Sequence, residues 1–312
     1  MNKLKILDVL IGSKCNLACH QCDTRSDIIK DTSYDSSIEQ ILEGVSLAQK
    51  HFEVETYSML GGEPLLYIDK IEQVVKHIRS KDTKGRIVIP TNGLLLEKRN
   101  DKLADLMTTY NVSLYVCNHF AAFEDKTLTN KVIESTVNFA KSLNLTPYDR
   151  DLFIEEITGK PVKDSTNFNG NEQVFTNGTI YVWVRDQEEF HSHYHLTVDG
   201  PKPFMTNNPE ESYKEGCCSP FCSFLKDKKL YKCAALGTLE KFLTIHNALH
   251  DPDWQKYLSY KPLNLETATL EEVTDFSNNI FKPSEFCDMC PNSNKHIFKK
   301  TPDKVLPIKE LR

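Results

Sequence analysis

Apolar and polar positions along the first half of the chain form a repeating order of short β-prone runs and longer amphipathic stretches. The order predicts a strand at 4–11, a helix over about 37–50, a strand at 53–60, a helix at 67–80, a strand at 86–91, a helix at 98–110, a strand at 112–118, a helix at 126–143 and a strand near 152–157. Strands that alternate with helices of this length imply parallel βαβ units, hence an α/β chain. From about residue 170 the pattern changes to hairpins. The run 174–184 carries Asn177-Gly178 inside a β-prone stretch, and two further short strands flank a polar turn at 227–229. Trp183 and Tyr181 read as core, and the tail from Lys295, with Pro302 and Pro307, as an extended surface wrap. No apolar run approaches the roughly 18 residues of a membrane helix.

Composition narrows the class. With 312 residues, 39% hydrophobic and 26% charged, the chain is neither disordered nor a small disulfide scaffold. A formal charge of −6 leaves no electrostatic footprint for non-specific nucleic-acid binding. The basic opening is interrupted by Asp8 and followed by no small-residue cleavage site, so it reads as a first strand of a cytoplasmic protein.

Ten cysteines change the picture, because nine of them fall in two groups. Under reducing conditions clustered thiols point to metal or redox chemistry. Cys15, Cys19 and Cys22 follow the first strand with the spacing Cys-x3-Cys-x2-Cys. Three thiolates on one short loop can converge on one centre, and with no fourth local ligand a closed zinc site is incomplete. A cubane iron–sulfur cluster held by three cysteines keeps one iron open to bind and activate a ligand.

This loop resembles that of the radical S-adenosylmethionine (SAM) superfamily, and two further motifs strengthen the resemblance. Gly61-Gly62-Glu63-Pro64 follows the predicted strand at 53–60, and Thr91-Asn92-Gly93 ends the strand at 86–91. Two glycines let backbone approach a ligand, and Glu63 can accept from an ammonium. The resemblance implies a partial (β/α)6 TIM-like barrel over residues 1–200, with its site at the carboxyl ends of the strands. It implies a [4Fe–4S] cluster on Cys15, Cys19 and Cys22 that binds SAM, with Gly61, Gly62, Glu63, Pro64, Asn92 and Asn118 as cofactor contacts. The family's aromatic residue before the third cysteine is Gln21 here, so adenine contact falls to His20 or another side chain. Cys117 is a candidate hydrogen donor to a substrate radical, or a cysteine packed as a small hydrophobe.

The second group resembles the twitch form of the SPASM auxiliary-cluster domain, which assigns residues 201–312 to a small hairpin and helical domain. Cys233 and the knuckle Cys287-Asp288-Met289-Cys290 supply three ligands. Family spacing, counted back from Lys228 at the usual glycine position, admits Cys217 and Cys218. We favour Cys218, with Cys222 as the second choice because it lies opposite Cys233 in the hairpin. A second [4Fe–4S] cluster is expected, and a zinc site is the alternative. His191, His193 and His195 would share one face of an extended strand, as a metal or anion site or as a polar hairpin edge.

The resemblance thus implies reductive cleavage of SAM to a 5′-deoxyadenosyl radical and hydrogen abstraction from a peptide or small molecule, for oxidation or crosslinking. A flavodoxin or ferredoxin would supply the electron. Two alternatives remain open. Cys22-Asp23-Thr24 resembles the start of 7-carboxy-7-deazaguanine synthase, and a non-catalytic zinc-thiolate protein would also use clustered cysteines.

Overall fold

The computed structural model describes residues 2–19, 22–29, 31–123, 126–159, 172–187, 190–191, 193–217, 220–292 and 297–298. His20, Gln21, Cys218 and the tail from Lys295 with Pro302 and Pro307 lie outside the described residues. Two compact units emerge, one from residues up to 85 together with those from 189 onward, the other from residues 86–188. This division differs from the boundary at residue 200 expected from motif order, for a reason visible in the strand pairing.

In the first unit β1 (Asn2–Leu10), α1 (Ile38–His51), β2 (Phe52–Leu60) and α2 (Ile68–Lys81) follow the expected βα order within two residues at each boundary. Ser37 and Gln40 form a reciprocal capping box that starts α1. The strands β1 and β2 pair in parallel, with Leu4 beside Val54 and Asp8 beside Ser58.

The second unit carries β3 (Arg86–Thr91), α3 (Leu96–Tyr110), β4 (Val112–Asn118), α4 (Lys126–Ser142), β5 (Thr146–Tyr148), α5 (Arg150–Thr158), β6 (Glu172–Thr176) and β7 (Tyr181–Asp186). Its strands β3, β4 and β7 are parallel, while β6 and β5 add antiparallel. The strand expected near 152–157 is instead α5. Asp149 caps it by accepting from the N–H groups of Asp151 and Leu152, and Gly159 ends it at φ 70°. Phe153 and Ile154 bury against Val174, so a short apolar run that fits either period is decided by its caps. Trp183 stacks on Tyr115 at 4.3 Å and meets Phe153 edge-on at 5.2 Å, a core role as expected.

The chain then returns to the first unit. The short pieces β8 (Phe190–His191), β9 (His195–Thr197) and β10 (Gly200–Lys202) precede α6 (Pro209–Gly216). The hairpin of β11 (Cys222–Lys226) and β12 (Lys229–Tyr231) follows, then α7 (Ala234–Gly237), α8 (Leu239–Ile245), α9 (Pro252–Leu258), β13 (Leu263–Asn264) and α10 (Leu270–Asn279). The strand β11 pairs in parallel with the open side of β1, Ile6 beside Cys222 and Asp8 beside Phe224. The cysteine-rich segment is therefore part of the first unit's sheet, which runs β13-β12-β11-β1-β2. The hairpin turn uses Asp227 at φ 49° and Lys228 at φ 62°, the two left-handed positions of a type I′ turn. Lys228 replaces the expected glycine and is held by Glu43 at 2.9 Å and Glu266 at 2.8 Å, while Asp227 accepts from Ser36 at 2.5 Å. Beneath the cysteine knuckle, Leu239, Phe242, Leu243, Trp254, Tyr257 and Met289 form a buried cluster. Each such side chain contributes about 1.5–3 kcal/mol.

Candidate functional site

The end of β1 and the end of β2 are joined beyond the sheet by backbone hydrogen bonds. Gly62 N–H donates to Gly12 O at 2.9 Å and Glu63 N–H to Lys14 O at 2.9 Å, extending the ladder into the cysteine loop. A Cβ on Gly61 would stand 2.5 Å from Gly12 O, and one on Gly62 would stand 2.3 Å from Lys14 O. The glycine pair expected to admit a ligand thus also admits the neighbouring main chain. Gly12 is required for a similar reason, since an added Cβ would meet the Tyr67 ring at 2.3 Å.

Side chains fasten the same junction. Lys14 N–H donates to the Tyr67 hydroxyl at 2.8 Å, that hydroxyl donates to Asp35 at 3.0 Å, and Ser13 N–H reaches the other Asp35 oxygen at 2.8 Å. After the last cysteine, Thr24 donates to Gly61 O at 2.9 Å. The loop bearing Cys15, Cys19 and Cys22 is therefore clamped to Gly61-Gly62-Glu63 before and after its cysteines. Tyr67, Asp35 and Thr24 carry no motif signal, except that Thr24 ends the Cys22-Asp23-Thr24 string.

The three thiols are half-buried. Leu17 N–H donates to Cys15 Sγ at 3.4 Å, and the Thr24 hydroxyl lies 3.4 Å from Cys22 Sγ. Burial pushes the Cys22 thiol up, and Asp27 and Asp23 add to this, because a thiolate there would be desolvated beside carboxylates. A bound metal reverses that balance by taking the thiolate directly. Glu63 is buried and accepts from Leu65 N–H at 3.0 Å, capping the short turn Pro64–Tyr67. A carboxylate has several acceptor directions, and this cap uses one of them.

In the second unit, Asn92 follows β3 and Asn118 ends β4, with side chains already in use. Asn92 Oδ1 accepts from Leu94 N–H at 3.1 Å, and Asn118 donates to Asp186 at 2.8 Å while accepting from Phe120 N–H at 3.3 Å. The thiol of Cys117 is half-buried and hydrogen-bonded to Tyr115.

The second cysteine group converges. Cys217, Cys233, Cys287 and Cys290 line one cavity with Tyr213 and Lys232. Cys217 follows α6, Cys233 precedes α7, and the knuckle is anchored by its backbone: Phe204 and Thr206 N–H groups donate to Met289 O and Asp288 O, both at 3.1 Å. Asp288 points away, to Lys256 at 2.7 Å and Tyr257 at 3.0 Å. Gly216 makes room for Pro291, whose carbonyl oxygen would meet an added Cβ at 1.9 Å. Burial pushes the Cys290 thiol well up, and the neighbouring Cys233, Cys217 and Cys287 reinforce the shift. Four half-buried thiols around one cavity suit a bound cation.

Of the three candidates for the fourth ligand, Cys218, the favoured one, lies outside the described residues. Cys217 lines the cavity, whereas Cys222 does not; it is the β11 thiol hydrogen-bonded to Asp8. In register Cys222 does sit near the level of Cys233, but its side chain is committed to the β1 side. Burial raises Asp8 to about 6, with hydrogen bonds from Ser58 and Cys222 opposing the shift. The side chain of His191 lies outside the description; His193 and His195 differ, His193 being buried with Nε2 2.7 Å from Asp23 while exposed His195 packs on Phe204 at 3.9 Å. Among the described residues, no three His, Cys, Asp or Glu side chains are close enough to share a single metal ion. A cubane takes each thiolate on a different iron, so its ligands need not meet at a point.

Comparison with known proteins agrees with the loop geometry. A family model described as Radical SAM superfamily matches residues 9–164. A probable GTP 3′,8-cyclase of Methanocaldococcus jannaschii is 28% identical over 170 residues, 53% of this chain and 55% of that protein. The radical SAM cyclopropyl synthase TigE of Paramaledivibacter caminithermalis is 23% identical over 216 residues, 64% of this chain and 41% of its own. The chain spans about half the length of the curated relatives it matches. A crystal structure of BtrN in complex with AdoMet and 2-DOIA is 14% identical, covers 97% of this chain and 100% of its own, and has a TM-score of 0.41, too low to match the folds. With the family model covering half of its length, the chain belongs to the radical SAM superfamily.

Proposed function

We propose that the chain is a two-cluster radical enzyme. Cys15, Cys19 and Cys22 hold a [4Fe–4S] cluster with SAM, and Cys217, Cys233, Cys287 and Cys290 hold a second [4Fe–4S] cluster. The observation that carries the reading is the backbone clamp between Gly12-Lys14 and Gly61-Glu63, which ties the three-thiol loop to the carboxylate expected to meet the methionyl ammonium. When bound, cluster and SAM supply a 5′-deoxyadenosyl radical that takes hydrogen from a substrate.

The chain's own residues orient that chemistry. Glu63 accepts from the ammonium while its cap on Leu65 fixes the carboxylate. Leu17 N–H donates to the Cys15 sulfur and stabilises its negative charge. Asn92 and Asn118, fixed by their own hydrogen bonds, contact the adenosine moiety. The substrate is a peptide or small molecule that is oxidised or crosslinked. The names cyclase and cyclopropyl synthase borne by two relatives favour bond formation. A flavodoxin or ferredoxin supplies the electron, in the cytoplasm.

A match to 7-carboxy-7-deazaguanine synthase draws no support from Thr24, whose hydroxyl is used to hold Gly61. Anaerobic reconstitution tests the main reading. Brown protein that releases 5′-deoxyadenosine from SAM with dithionite, and carries iron and sulfide for two cubanes, is expected. One cluster plus zinc would restore the zinc reading for the second site, and a colourless protein without cleavage would remove the enzyme.

A further inference from the structure

Arg25 stands three residues after Cys22 and has no place in any motif. Its backbone is left-handed at φ 56°, a conformation that disfavours residues with a Cβ. The main chain is nonetheless fixed: Arg25 N–H donates to Cys22 O at 2.8 Å, and its carbonyl accepts from Ile28 at 3.0 Å and Ile29 at 2.7 Å. That backbone belongs to the loop of the first cluster, and the side chain goes elsewhere.

The guanidinium is 1% exposed, and none of Nε, Nη1 and Nη2 has a hydrogen-bond acceptor among the described residues. Its central carbon sits 4.0 Å over the Phe242 ring, in the cluster of apolar side chains beneath the knuckle. A guanidinium is charged at all physiological pH values and carries five N–H donors. An aromatic face offsets only part of the cost of burying it. A counter-anion is needed. The groups whose negative forms act on it most strongly are Tyr194, Cys290, Cys233 and Asp27, in that order. Tyr194 is itself buried, which pushes its phenol up and keeps it neutral. The two cysteines next in line pack against the same apolar cluster as Phe242, the ring under the guanidinium, and are ligands of the proposed second cluster.

We propose that Arg25 is a second buried cation of the auxiliary site, beside Lys232, whose Nζ is already held by the Ile280 and Lys282 carbonyls, its guanidinium donating to the sulfurs of the cluster on Cys217, Cys233, Cys287 and Cys290 and raising the reduction potential of that cluster. This rests on the reading of that site as iron–sulfur. A cubane with four thiolates is anionic and gains one more negative charge on reduction, so a fixed neighbouring cation favours the reduced form. Arg25 is thus a positioning residue with its backbone in one cluster loop and its charge at the other cluster.

The test uses the full chain with Cys15→Ala, Cys19→Ala and Cys22→Ala, so that any remaining cluster is the auxiliary one. If this background holds zinc or no cluster, the underlying reading fails before Arg25 is touched. With a cluster present, Arg25→Met and Arg25→Lys are compared by iron content, circular dichroism and an EPR-monitored redox titration. Arg25→Met is expected to disfavour reduction about tenfold, ~59 mV for one electron, with Arg25→Lys recovering part of the shift. Loss of iron from folded Arg25→Met, restored in Arg25→Lys, also supports the proposal. An unchanged potential in iron-replete Arg25→Met overturns it, as does collapse of the fold in both variants, which marks a packing role.

Discussion

Cys15, Cys19 and Cys22 share one short loop between strand and helix, whereas Cys217, Cys233, Cys287 and Cys290 arrive from the end of α6, the start of α7 and a distant knuckle. In the first site the order of ligands is local, and tertiary structure only clamps the loop, through Gly61, Gly62, Tyr67 and Thr24. In the second, only the Cys287–Cys290 knuckle is local; Cys217 and Cys233 come from distant segments, beside the packed cluster of Phe242, Trp254, Tyr257 and Met289. A loop motif therefore identifies its ligands from spacing, and an assembled site identifies them only after folding.

Replacing Cys15, Cys19 and Cys22 together breaks the comparison most severely. All SAM cleavage is expected to vanish while the second cluster stays, as measured by 5′-deoxyadenosine release and residual iron; loss of both clusters would make the two sites one cooperative structure. Next, Cys217→Ser is expected to remove one cluster's iron, and Cys222→Ser to remove none. The reverse outcome returns Cys222 to the ligand set.

A smaller effect concerns the acid that engages Cys222. The Asp8 carboxyl titrates near 3.8 when exposed and at about 6 in the fold. Because the folded value is raised, the unfolded chain ionises first, and stability falls as pH rises through that window, by roughly 3 kcal/mol. Asp8→Asn removes this slope, so its urea midpoint should exceed that of the wild type at pH 7 and approach it near pH 4. A variant less stable than wild type at pH 7 contradicts the burial argument. Smallest is Gly62→Ala, expected to cost about 1–3 kcal/mol by forcing Lys14 O away. Cleavage should fall with it, and an unchanged denaturation midpoint would show that the clamp yields freely.

Much of the βα half was legible because helical and strand periods differ clearly over long runs, as in α2 and β4. The segment 152–157 misled because an apolar run that short fits both periods, and Asp149 and Gly159 decide it. The three-cysteine loop and the Gly-Gly-Glu-Pro element are linear motifs and visible as such. The choice between Cys217 and Cys222 is not, since the two thiols have the same chemistry and only folding puts Cys217 at the cavity and Cys222 against Asp8. Arg25 was hidden for another reason: a left-handed arginine between cluster loops has no period, no spacing and no cap to betray it.

The parallel pairing of β11 with β1 also orders events during synthesis. The strand β1 and its thiol loop emerge among the first residues made, while residues 222–226, which cover the other edge of β1 from Ile6 to Val9, emerge only after most of the chain. Until then that edge offers unpaired N–H and C=O groups to any neighbouring nascent chain. A product truncated before residue 222 keeps a naked strand edge beside three reactive thiols, so such fragments should aggregate and crosslink on exposure to air.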